Sequence, residues 1–188
     1  MILGVDEVGR GCWAGPVVAG AVILRELIPG LADSKKLTKL QRERLDAQIR
    51  LDAVAIGLGW VTAAEVDDIG LTEAVCLAMV RAVAEITQDQ DYDELIIDGN
   101  YNFLPNYPKS SCLIKADDTV PSVSAASIVA KVARDAYMSN ASLNYPGYHF
   151  EKHVGYGTAA HLAALKIHGV CDLHRRSFAP IRAILAAV

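Results

Sequence analysis

Residues 2–11 read ILGVDEVGRG, an apolar run followed by two adjacent acids and a Gly-Arg-Gly triplet. The apolar run predicts a buried strand, and the triplet predicts a tight turn. Burying unpaired carboxylates is costly or forces a large pKa shift, so metal ligation is the first hypothesis for Asp6 and Glu7. Because strand side chains alternate, both acids reach one metal only where the strand ends or bulges, which Gly9 favours. The alternative is a solvated pair of charges that opens a loop.

The 188-residue chain is 52% hydrophobic and 21% charged, which suits one compact domain with a sizeable core. No run approaches the roughly 18 apolar residues of a membrane span, and no secretory leader precedes the first strand. We therefore expect a cytoplasmic protein, without membrane contact and monomeric. The four cysteines are scattered without a Cys-x-x-Cys pair, which argues against a zinc or redox motif.

The net charge of −4 does not exclude a nucleic-acid partner, because the distribution of charge matters more than its sum. Residues 141–188 carry five Lys or Arg against two acidic residues, and residues 35–44 form a second basic stretch. Carboxylates that hold a cation lower the net charge without repelling phosphate. Both basic segments are therefore candidates for phosphate contact.

Hydrophobic periodicity predicts an α/β fold with three antiparallel strands first and later strands joined by helical crossovers. The predicted strands are the run before Asp6, then 17–24, 53–61, 94–98 and 112–114, and the predicted helices are 39–51, 63–67, 71–86, 122–140 and 158–168. Thr38 and Thr62 are the predicted N-caps, and Gly70 and Gly169 are predicted breaks. The chain shows no internal repeat or linker, so we expect one catalytic domain over residues 1–188.

Two further acids follow predicted strands as Asp6 does. Asp98 ends an apolar strand, and Asp117 follows the short strand at 112–114. Functional groups gather at the carboxyl edge of open α/β sheets, so these acids are expected to converge with Asp6 and Glu7. Four convergent carboxylates need divalent cations, and hard oxygen ligands select Mg²⁺ or Mn²⁺.

Two other acids compete with Asp117 for the fourth position. Asp118 is its neighbour in the same turn, and Asp135 lies on a predicted helix beside Arg134 and Lys131. One acid at a strand end is more often a turn former than a ligand, but three strand ends that behave alike favour a metal site. Two ions about 4 Å apart would suit in-line hydrolysis of a phosphodiester.

Seven motifs follow one another along the chain: DEVGRG at 6–11, DSKKL at 33–37, IDG at 97–99, KAD at 115–117, SAASIVAKVARD at 124–135, GYGT at 155–158 and HRRSF at 174–178. With these motifs the chain resembles the type 2 ribonuclease H (ribonuclease HII) family nearly from end to end. The resemblance implies a ribonuclease H-like α/β fold, with a mixed five-stranded sheet flanked by helices. It also implies a C-terminal helical portion over about 140–188.

The resemblance implies an endonuclease that cuts the RNA strand of RNA–DNA hybrids. It also implies cutting 5′ to ribonucleotides embedded in duplex DNA, which leaves 3′-hydroxyl and 5′-phosphate ends, in ribonucleotide excision repair. The family's catalytic and metal-binding acids, with Mn²⁺ or Mg²⁺ as cofactor, fall on Asp6, Glu7, Asp98 and Asp117. Its substrate-binding positions fall on Gly9, Arg10, Gly11, Ser34, Lys35 and Tyr156. Among these, the 9–11 turn would read a 2′-hydroxyl and Tyr156 would stack on a sugar.

The chain departs from the family pattern at two positions. Val154 stands where Lys is expected, which puts one phosphate contact in question, and Gly70 stands where Asn is expected. The alternative function is a non-catalytic protein that binds RNA–DNA hybrids with the same fold. Loss of one acid would mark such a protein, and all four acids are present.

Several basic residues keep two interpretations. Arg175 and Arg176 suit either a structural ion pair or a nucleic-acid contact. A phosphate-side role stays open for His153 and His174, whereas His161 is interpreted as a helix or surface residue.

Overall fold

The computed structural model describes residues 1–186, so the last two residues of the predicted 1–188 domain lie outside the described range. The described strands are β1 (Ile2–Val8), β2 (Val17–Leu24), β3 (Ala53–Val61), β4 (Glu94–Asp98) and β5 (Ser110–Leu113). They form one sheet in the order β3-β2-β1-β4-β5. Strands β1, β2 and β3 pair antiparallel, whereas β4 pairs parallel with β1 and with β5. The predicted mixed five-stranded sheet is confirmed.

The described helices are α1 (Lys39–Asp52), α2 (Ala63–Ile69), α3 (Leu71–Thr87), α4 (Ala116–Thr119), α5 (Pro121–Asn144), α6 (Phe150–His153), α7 (Ala159–His168) and α8 (Ala179–Leu185). The N-caps predicted at Thr38 and Thr62 are confirmed, and each forms a capping box with the residue three positions later, Gln41 or Glu65. Gly169 ends α7 with a φ of 74°, which a residue without Cβ adopts easily.

The two connections between parallel strands are built differently. Helices α2 and α3 lead from β3 to β4, as predicted, but β4 reaches β5 through the helix-free loop 99–109. Asn102 organises this loop, since its Nδ2 donates to Ser110 Oγ at 3.0 Å and its Oδ1 accepts from the Leu104 N–H at 2.9 Å. The prediction of helical crossovers therefore holds for the first connection and not for the second.

Helices cover both faces of the sheet, as the alternation along β2 illustrates. Ala19, Ala21 and Ile23 pack in the core shared with α3, whereas Val22 packs in the core shared with α1 and α5. Every residue of β2 from Val17 to Ile23 is buried, because both faces are covered. An apolar run without alternation is what such a strand requires.

Glycines in the strands allow the helices to approach the sheet closely. A Cβ at Gly20 would overlap the carbonyl oxygen of Ala126 in α5, and a Cβ at Gly59 would overlap that of Ala78 in α3. The facing helix positions are alanines, so backbone packs almost directly on backbone. This explains the run of small residues in α5.

A second apolar cluster joins the C-terminal helices to the rest of the chain. Its buried members are Ala14, Met138, Tyr148, Phe150, Ala164, Leu165 and Ile181. Because Ala14 belongs to the β1–β2 loop and Met138 to α5, the cluster is not a separate core. We therefore propose one catalytic domain whose C-terminal portion, from about residue 140, is helical.

Gly20→Ala is expected to lower the free energy of unfolding by about 1–3 kcal/mol, because overpacking forces α5 away from the sheet. Urea unfolding at neutral pH measures this change. Gly11→Ala is the matched control, since a Cβ there meets no atom within 4 Å. We expect it to change stability by less than about 0.5 kcal/mol. Equal losses in both variants would contradict the packing argument.

Candidate active site

Asp6 and Glu7 lie inside β1, which continues through Val8. The strand ends one residue after Glu7, close to the strand end that was expected at the acids, and its pairing with β4 already ends at Val5. Because side chains alternate, Asp6 lies on the sheet face covered by α5, as Gly4 does, and Glu7 lies on the opposite face. Asp6 is buried and Glu7 is half-buried. The two acids can serve one site only through the carboxyl edge of the sheet.

Asp98 is the last residue of β4, the parallel neighbour of β1. The register pairs Val5 with Ile97, so Asp6 and Asp98 are the next residues on adjacent strands. Side chains at such positions share one face of the sheet. The negative charge of Asp98 raises the pKa of both Asp6 and Glu7, in addition to the larger effect of burial. Asp98 is thus central to the acid cluster.

Asp117 reaches the cluster by a route that the sequence did not predict. Strand β5 ends at Leu113, and Asp117 lies in the one-turn helix α4, after Lys115 in a left-handed conformation with φ of 60°. The Asp117 backbone N–H donates to Asp98 Oδ1 at 3.4 Å, and Ser124 Oγ donates to the Asp117 carbonyl at 2.6 Å. The predicted strand-end position is wrong, but the residue lies beside Asp98.

The two competing acids are engaged by lysines. Asp118 accepts from Lys36 Nζ at 2.6 Å, and Asp135 accepts from Lys131 Nζ at 2.8 Å. The Lys36 ammonium lowers the pKa of the Asp118 carboxyl. These contacts favour Asp117 as the fourth acid of the cluster.

The acids of the cluster resist ionisation. The pKa of Asp6 is raised well above its usual value by burial, then by the charges of Glu7 and Asp98. Burial also raises the pKa of Glu7, although Arg10 Nη1, 3.1 Å from Glu7 Oε1, acts in the opposite direction. The pKa of Asp117 is raised by burial and then by the charge of Asp98. The negative charge of the cluster is therefore only partly compensated by the protein.

A divalent cation would supply the missing positive charge. Within residues 1–186, no group of three or more His, Cys, Asp or Glu side chains is already arranged to hold a metal ion. Carboxylates without a cation repel one another, which is consistent with an open arrangement. The donors are all carboxylate oxygens, which Mg²⁺ and Mn²⁺ prefer. The residues therefore fit a hard divalent cation by charge and by donor type.

An open cleft of about 570 Å³ lies over part of the acid cluster. Its lining residues are Asp33, Lys35, Lys36, Asp98, Gly99, Asn100, Ile114, Lys115, Asp117 and Asp118. Lys35 is exposed, and its Nζ lies 3.8 Å from Asp117 Oδ2. Partial burial lowers the pKa of Lys35, but the charges of Asp33, Asp6 and Asp117 outweigh this effect and raise it overall. A cationic side chain thus stands at the rim of an acidic cleft.

Ser34, the neighbour of Lys35, is placed differently. It is buried, and its hydroxyl lies 2.9 Å from the hydroxyl of Ser127 in α5. The Ser127 hydroxyl also acts to lower the pKa of Asp6, against the larger effect of burial. The Ser34 side chain is therefore engaged inside the protein, and we propose that it positions the loop that presents Lys35.

The 9–11 turn packs closely against Arg134 and Pro16 on its inner side. Gly9 has a φ of 92°, and a Cβ there would overlap Arg134 Nε and lie 2.8 Å from the Pro16 carbonyl oxygen. Arg10 is exposed, and Gly11 has open space around it. The turn therefore presents its outer side to solvent while its inner side packs on Arg134.

Two buried arginines, Arg134 and Arg175, hold this turn and the loop after it, and the sequence predicted this role for neither. Arg134 donates to the carbonyls of Pro16 (2.9 Å), Ala14 (3.1 Å) and Val154 (2.9 Å). A signal for its burial existed, because positions 127, 134 and 138 follow helical spacing and all three are buried.

Arg175 acts in the same way. Its guanidinium donates to the Gly15 carbonyl at 2.9 and 3.1 Å and to the Arg10 carbonyl at 3.0 Å. Burial lowers the pKa of Arg175 to about 10, so it stays protonated at neutral pH. Neither interpretation of Arg175, ion pair or nucleic-acid contact, is correct. Its neighbour Arg176 is tied through its backbone N–H to Asp67 at 2.7 Å.

Tyr156 lies beside this loop. It forms an antiparallel bridge with Cys12, and the Trp13 N–H donates to the Gly155 carbonyl at 2.8 Å. The Tyr156 side chain is 39% exposed, and Lys131 Nζ lies 5.6 Å from its ring centroid. The predicted sugar-stacking residue is therefore next to the predicted 2′-hydroxyl reader and accessible to a ligand.

The sheet order, with acids on its central parallel pair, defines an α/β domain of the ribonuclease H-like class. The fold matches the crystal structure of ribonuclease H2 from Pyrococcus horikoshii OT3 with a TM-score of 0.81 and 25% identity, over 99% of this chain and 97% of that one. The chain belongs to the ribonuclease HII family, whose sequence model matches residues 3–181. The chain is therefore an endoribonuclease of the ribonuclease H type.

Bacterial relatives support this assignment at higher identity. A ribonuclease HII from Halorhodospira halophila is 47% identical over 185 residues, which cover 98% of this chain and 94% of the relative. One from Geobacillus sp. strain WCH70 is 47% identical over 186 residues, which cover 98% of this chain. The chain spans 66% of the length of the Geobacillus relative.

Membrane insertion finds no support in the described helices. None of the helices within residues 1–186 combines the length and the apolar character needed to cross a bilayer.

Asp6→Asn is expected to raise the free energy of unfolding in metal-free buffer at pH 7 by about 1 kcal/mol or more. The folded state raises the pKa of Asp6 above the usual 3.8, so ionisation of Asp6 opposes folding at pH 7. The gain should shrink as the pH falls toward 4, where the wild-type carboxyl is protonated too. Urea unfolding at both pH values measures it.

Asp118→Asn is the control for this prediction. The pKa of Asp118 is lowered by its hydrogen bond to Lys36, so its ionised form favours folding. The control should lose stability or stay unchanged at pH 7. A gain equal to that of Asp6→Asn would mean that removal of any negative charge stabilises the chain.

Proposed function

We propose that this enzyme cuts the RNA strand of RNA–DNA hybrids and cuts 5′ to single ribonucleotides in duplex DNA, by hydrolysis with two divalent metal ions. The observation that carries the proposal is the convergence of Asp6, Glu7 and Asp117 on Asp98 at the carboxyl edge of β1 and β4. Cleavage of this kind would leave 3′-hydroxyl and 5′-phosphate ends and would initiate ribonucleotide excision. The non-catalytic alternative has no observation in its favour.

The four acids divide naturally between two cation positions. Asp6 and Asp98 are adjacent on parallel strands and would be shared, while Glu7 and Asp117 would each complete one position. When bound, Mg²⁺ or Mn²⁺ supplies water activation and stabilisation of the leaving 3′-oxygen. The carboxylates hold this charge in place, so no side chain need act as the nucleophile.

Recognition of RNA is assigned to the 9–11 turn. The Arg175 guanidinium holds the Arg10 carbonyl, and the Cys12 N–H holds the Gly9 carbonyl at 3.3 Å. The turn is thus fixed before substrate binds, which reduces the entropy lost on binding. Its outward backbone groups can bond one 2′-hydroxyl, the group that distinguishes RNA from DNA.

Two other side chains would contact the substrate. Lys35, exposed at the rim of the acidic cleft, is placed to neutralise a phosphate. Tyr156 would stack on the sugar that follows the ribonucleotide, where a deoxyribose leaves room and a second 2′-hydroxyl would crowd the ring. An enzyme that recognises one 2′-hydroxyl followed by a deoxyribose needs only one ribonucleotide in the duplex.

Asp98→Asn is expected to lower kcat on a labelled RNA–DNA hybrid by more than about a hundredfold. Loss of a hydrogen-bond partner of a metal ligand already costs up to about a hundredfold, and loss of a ligand itself should cost more. Removing divalent cations with EDTA should abolish wild-type cleavage, and adding Mn²⁺ or Mg²⁺ should restore it. Asp118→Asn, whose carboxylate is paired with Lys36, should keep near-normal kcat. Full activity of Asp98→Asn in Mg²⁺ would contradict the proposed metal site.

Tyr156→Ala is expected to lower kcat/KM about tenfold more on a duplex with one ribonucleotide than on a long hybrid, since one stacking contact contributes about 1–3 kcal/mol. Tyr156→Phe keeps the ring and should retain the wild-type ratio of the two substrates. The measurement is single-turnover and steady-state cleavage of both duplexes. Equal losses on both substrates would mean that a residue other than Tyr156 recognises the ribonucleotide–deoxyribonucleotide junction.

A further inference from the structure

Three histidines form a buried cluster beneath the Tyr156 turn. His153, His161 and His174 are 7%, 0% and 2% exposed, so none of them faces a phosphate or lies on the surface as the sequence suggested. The rings of His153 and His161 stack with centroids 4.4 Å apart. Within the described residues these groups form no metal-binding cluster. Their role must be sought in their hydrogen bonds.

The partners of His161 determine which ring nitrogen carries the proton. His161 Nδ1 lies 2.9 Å from the Tyr156 carbonyl oxygen, which only accepts hydrogen bonds, so Nδ1 must be protonated. A neutral imidazole has one N–H, so His161 Nε2 is an acceptor. It lies 3.0 Å from His174 Nε2, which must therefore donate.

His174 completes the chain of hydrogen bonds. With its proton on Nε2, its Nδ1 accepts from the Cys171 backbone N–H at 3.0 Å. The Cys171 carbonyl also lies 3.3 Å from Nδ1, but a proton on Nδ1 would leave two bare Nε2 atoms facing each other. One neutral arrangement thus gives each ring nitrogen of His161 and His174 a partner, and it runs from the Cys171 N–H through His174 and His161 to the Tyr156 carbonyl.

His153 supports the neighbouring residue of the same turn. Its Nε2 lies 2.9 Å from the Tyr148 carbonyl and must donate to it, while its Nδ1 accepts from the Gly155 N–H at 3.2 Å. The backbone on both sides of the Gly155–Tyr156 peptide is therefore held by imidazoles. These hydrogen bonds fix the backbone that carries the exposed Tyr156 ring.

We propose that His161, fixed in its Nδ1–H tautomer by His174, is a positioning residue that holds the Tyr156 ring in place for the ribonucleotide–deoxyribonucleotide junction. This inference rests on the proposed function, because it takes Tyr156 as the residue that stacks on the sugar. His161 itself touches no substrate. It acts through the backbone carbonyl of Tyr156.

The surroundings of His161 and His174 keep both imidazoles neutral. Burial, followed by a neighbouring histidine, lowers the pKa of His161 and of His174 to about 4. The groups facing the pair are His153, Cys171 and Tyr148. Behind them, Glu151 and His149 act on His153 with opposite signs.

The histidine pair makes the folded state sensitive to acid. Histidines of the unfolded chain take up protons near pH 6.5, and those of the folded chain only near pH 4. Stability is therefore lost as the pH falls through this window. Protonation of His161 would set its Nε2–H against the Nε2–H of His174 and break the hydrogen bond between them, whereas protonation of His174 would set its Nδ1–H against the Cys171 N–H.

The tautomers can be measured directly on the wild-type protein. Two-bond ¹H–¹⁵N correlation spectra at pH 7 distinguish the Nδ1–H from the Nε2–H form of each neutral ring. We expect Nδ1–H for His161 and Nε2–H for His153 and His174. An Nε2–H form of His161, or a charged His161 at pH 7, would overturn the inference whatever the activity.

Two substitutions separate the two hydrogen bonds of His161. His161→Asn places an amide near the Nδ1 position and keeps the bond to the Tyr156 carbonyl, whereas His161→Gln reaches the Nε2 position and keeps only the bond to His174. His161→Asn should cut the single-ribonucleotide duplex within about threefold of wild type, and His161→Gln about tenfold more slowly, the cost of an unmade buried hydrogen bond. Both should cut a long hybrid within about threefold of wild type.

His149→Asn is the matched control, because His149 is exposed in a left-handed conformation that Asn tolerates. It should cut both duplexes at the wild-type rate. Equal rates for the Asn and Gln variants of His161, with normal wild-type cleavage, would overturn this inference alone. Failure of the wild-type protein to cut the single-ribonucleotide duplex would instead overturn the proposed function, and the role of Tyr156 with it.

Discussion

The backbone of α5 lies directly against β1 and β2, because Gly4 and Gly20 have no Cβ to hold it away. At this distance the polar side chains of α5 reach the carboxyl edge of the sheet and the loops around it. Ser124 holds the Asp117 carbonyl, and Arg134 holds the β1–β2 loop. The acids of β1 and α4 and the 9–11 turn proposed to recognise RNA are therefore positioned by the same helix. A shift of this helix would disturb all of them together.

The enzyme contains two buried groups of titratable side chains with opposite responses to pH. In the acid cluster the pKa of Asp6 is raised, so this carboxyl binds a proton more readily in the folded state than in the unfolded chain. The histidines His161 and His174 are lowered in pKa, so the folded state rejects protons. The divalent cations proposed for the first group would relieve the repulsion among its carboxylates, whereas the second group needs to remain neutral. Neutral pH with bound divalent cations would satisfy both groups.

Local signals in the sequence predicted the elements well. Strand β3 is confirmed residue for residue at Ala53–Val61, and the caps at Thr38 and Thr62 are confirmed. These features depend on neighbours along the chain, such as a threonine followed three residues later by Gln or Glu. The placement of Asp117 on α4, and not at a strand end, could not be predicted in this way. A one-turn helix after a left-handed lysine has no periodic pattern.

By itself, the sequence determined the α/β class, the strand that carries Asp6 and Glu7, and the acids that are candidates for the site, because apolar periodicity and motif spacing are local properties. Only the tertiary structure decided which polar groups are buried. Arg134, Arg175 and His161 have the composition of surface residues, yet each is fully buried. Their burial is favourable because carbonyls and a second imidazole, supplied by distant parts of the chain, satisfy their hydrogen bonds. Such partners exist only once the chain has folded.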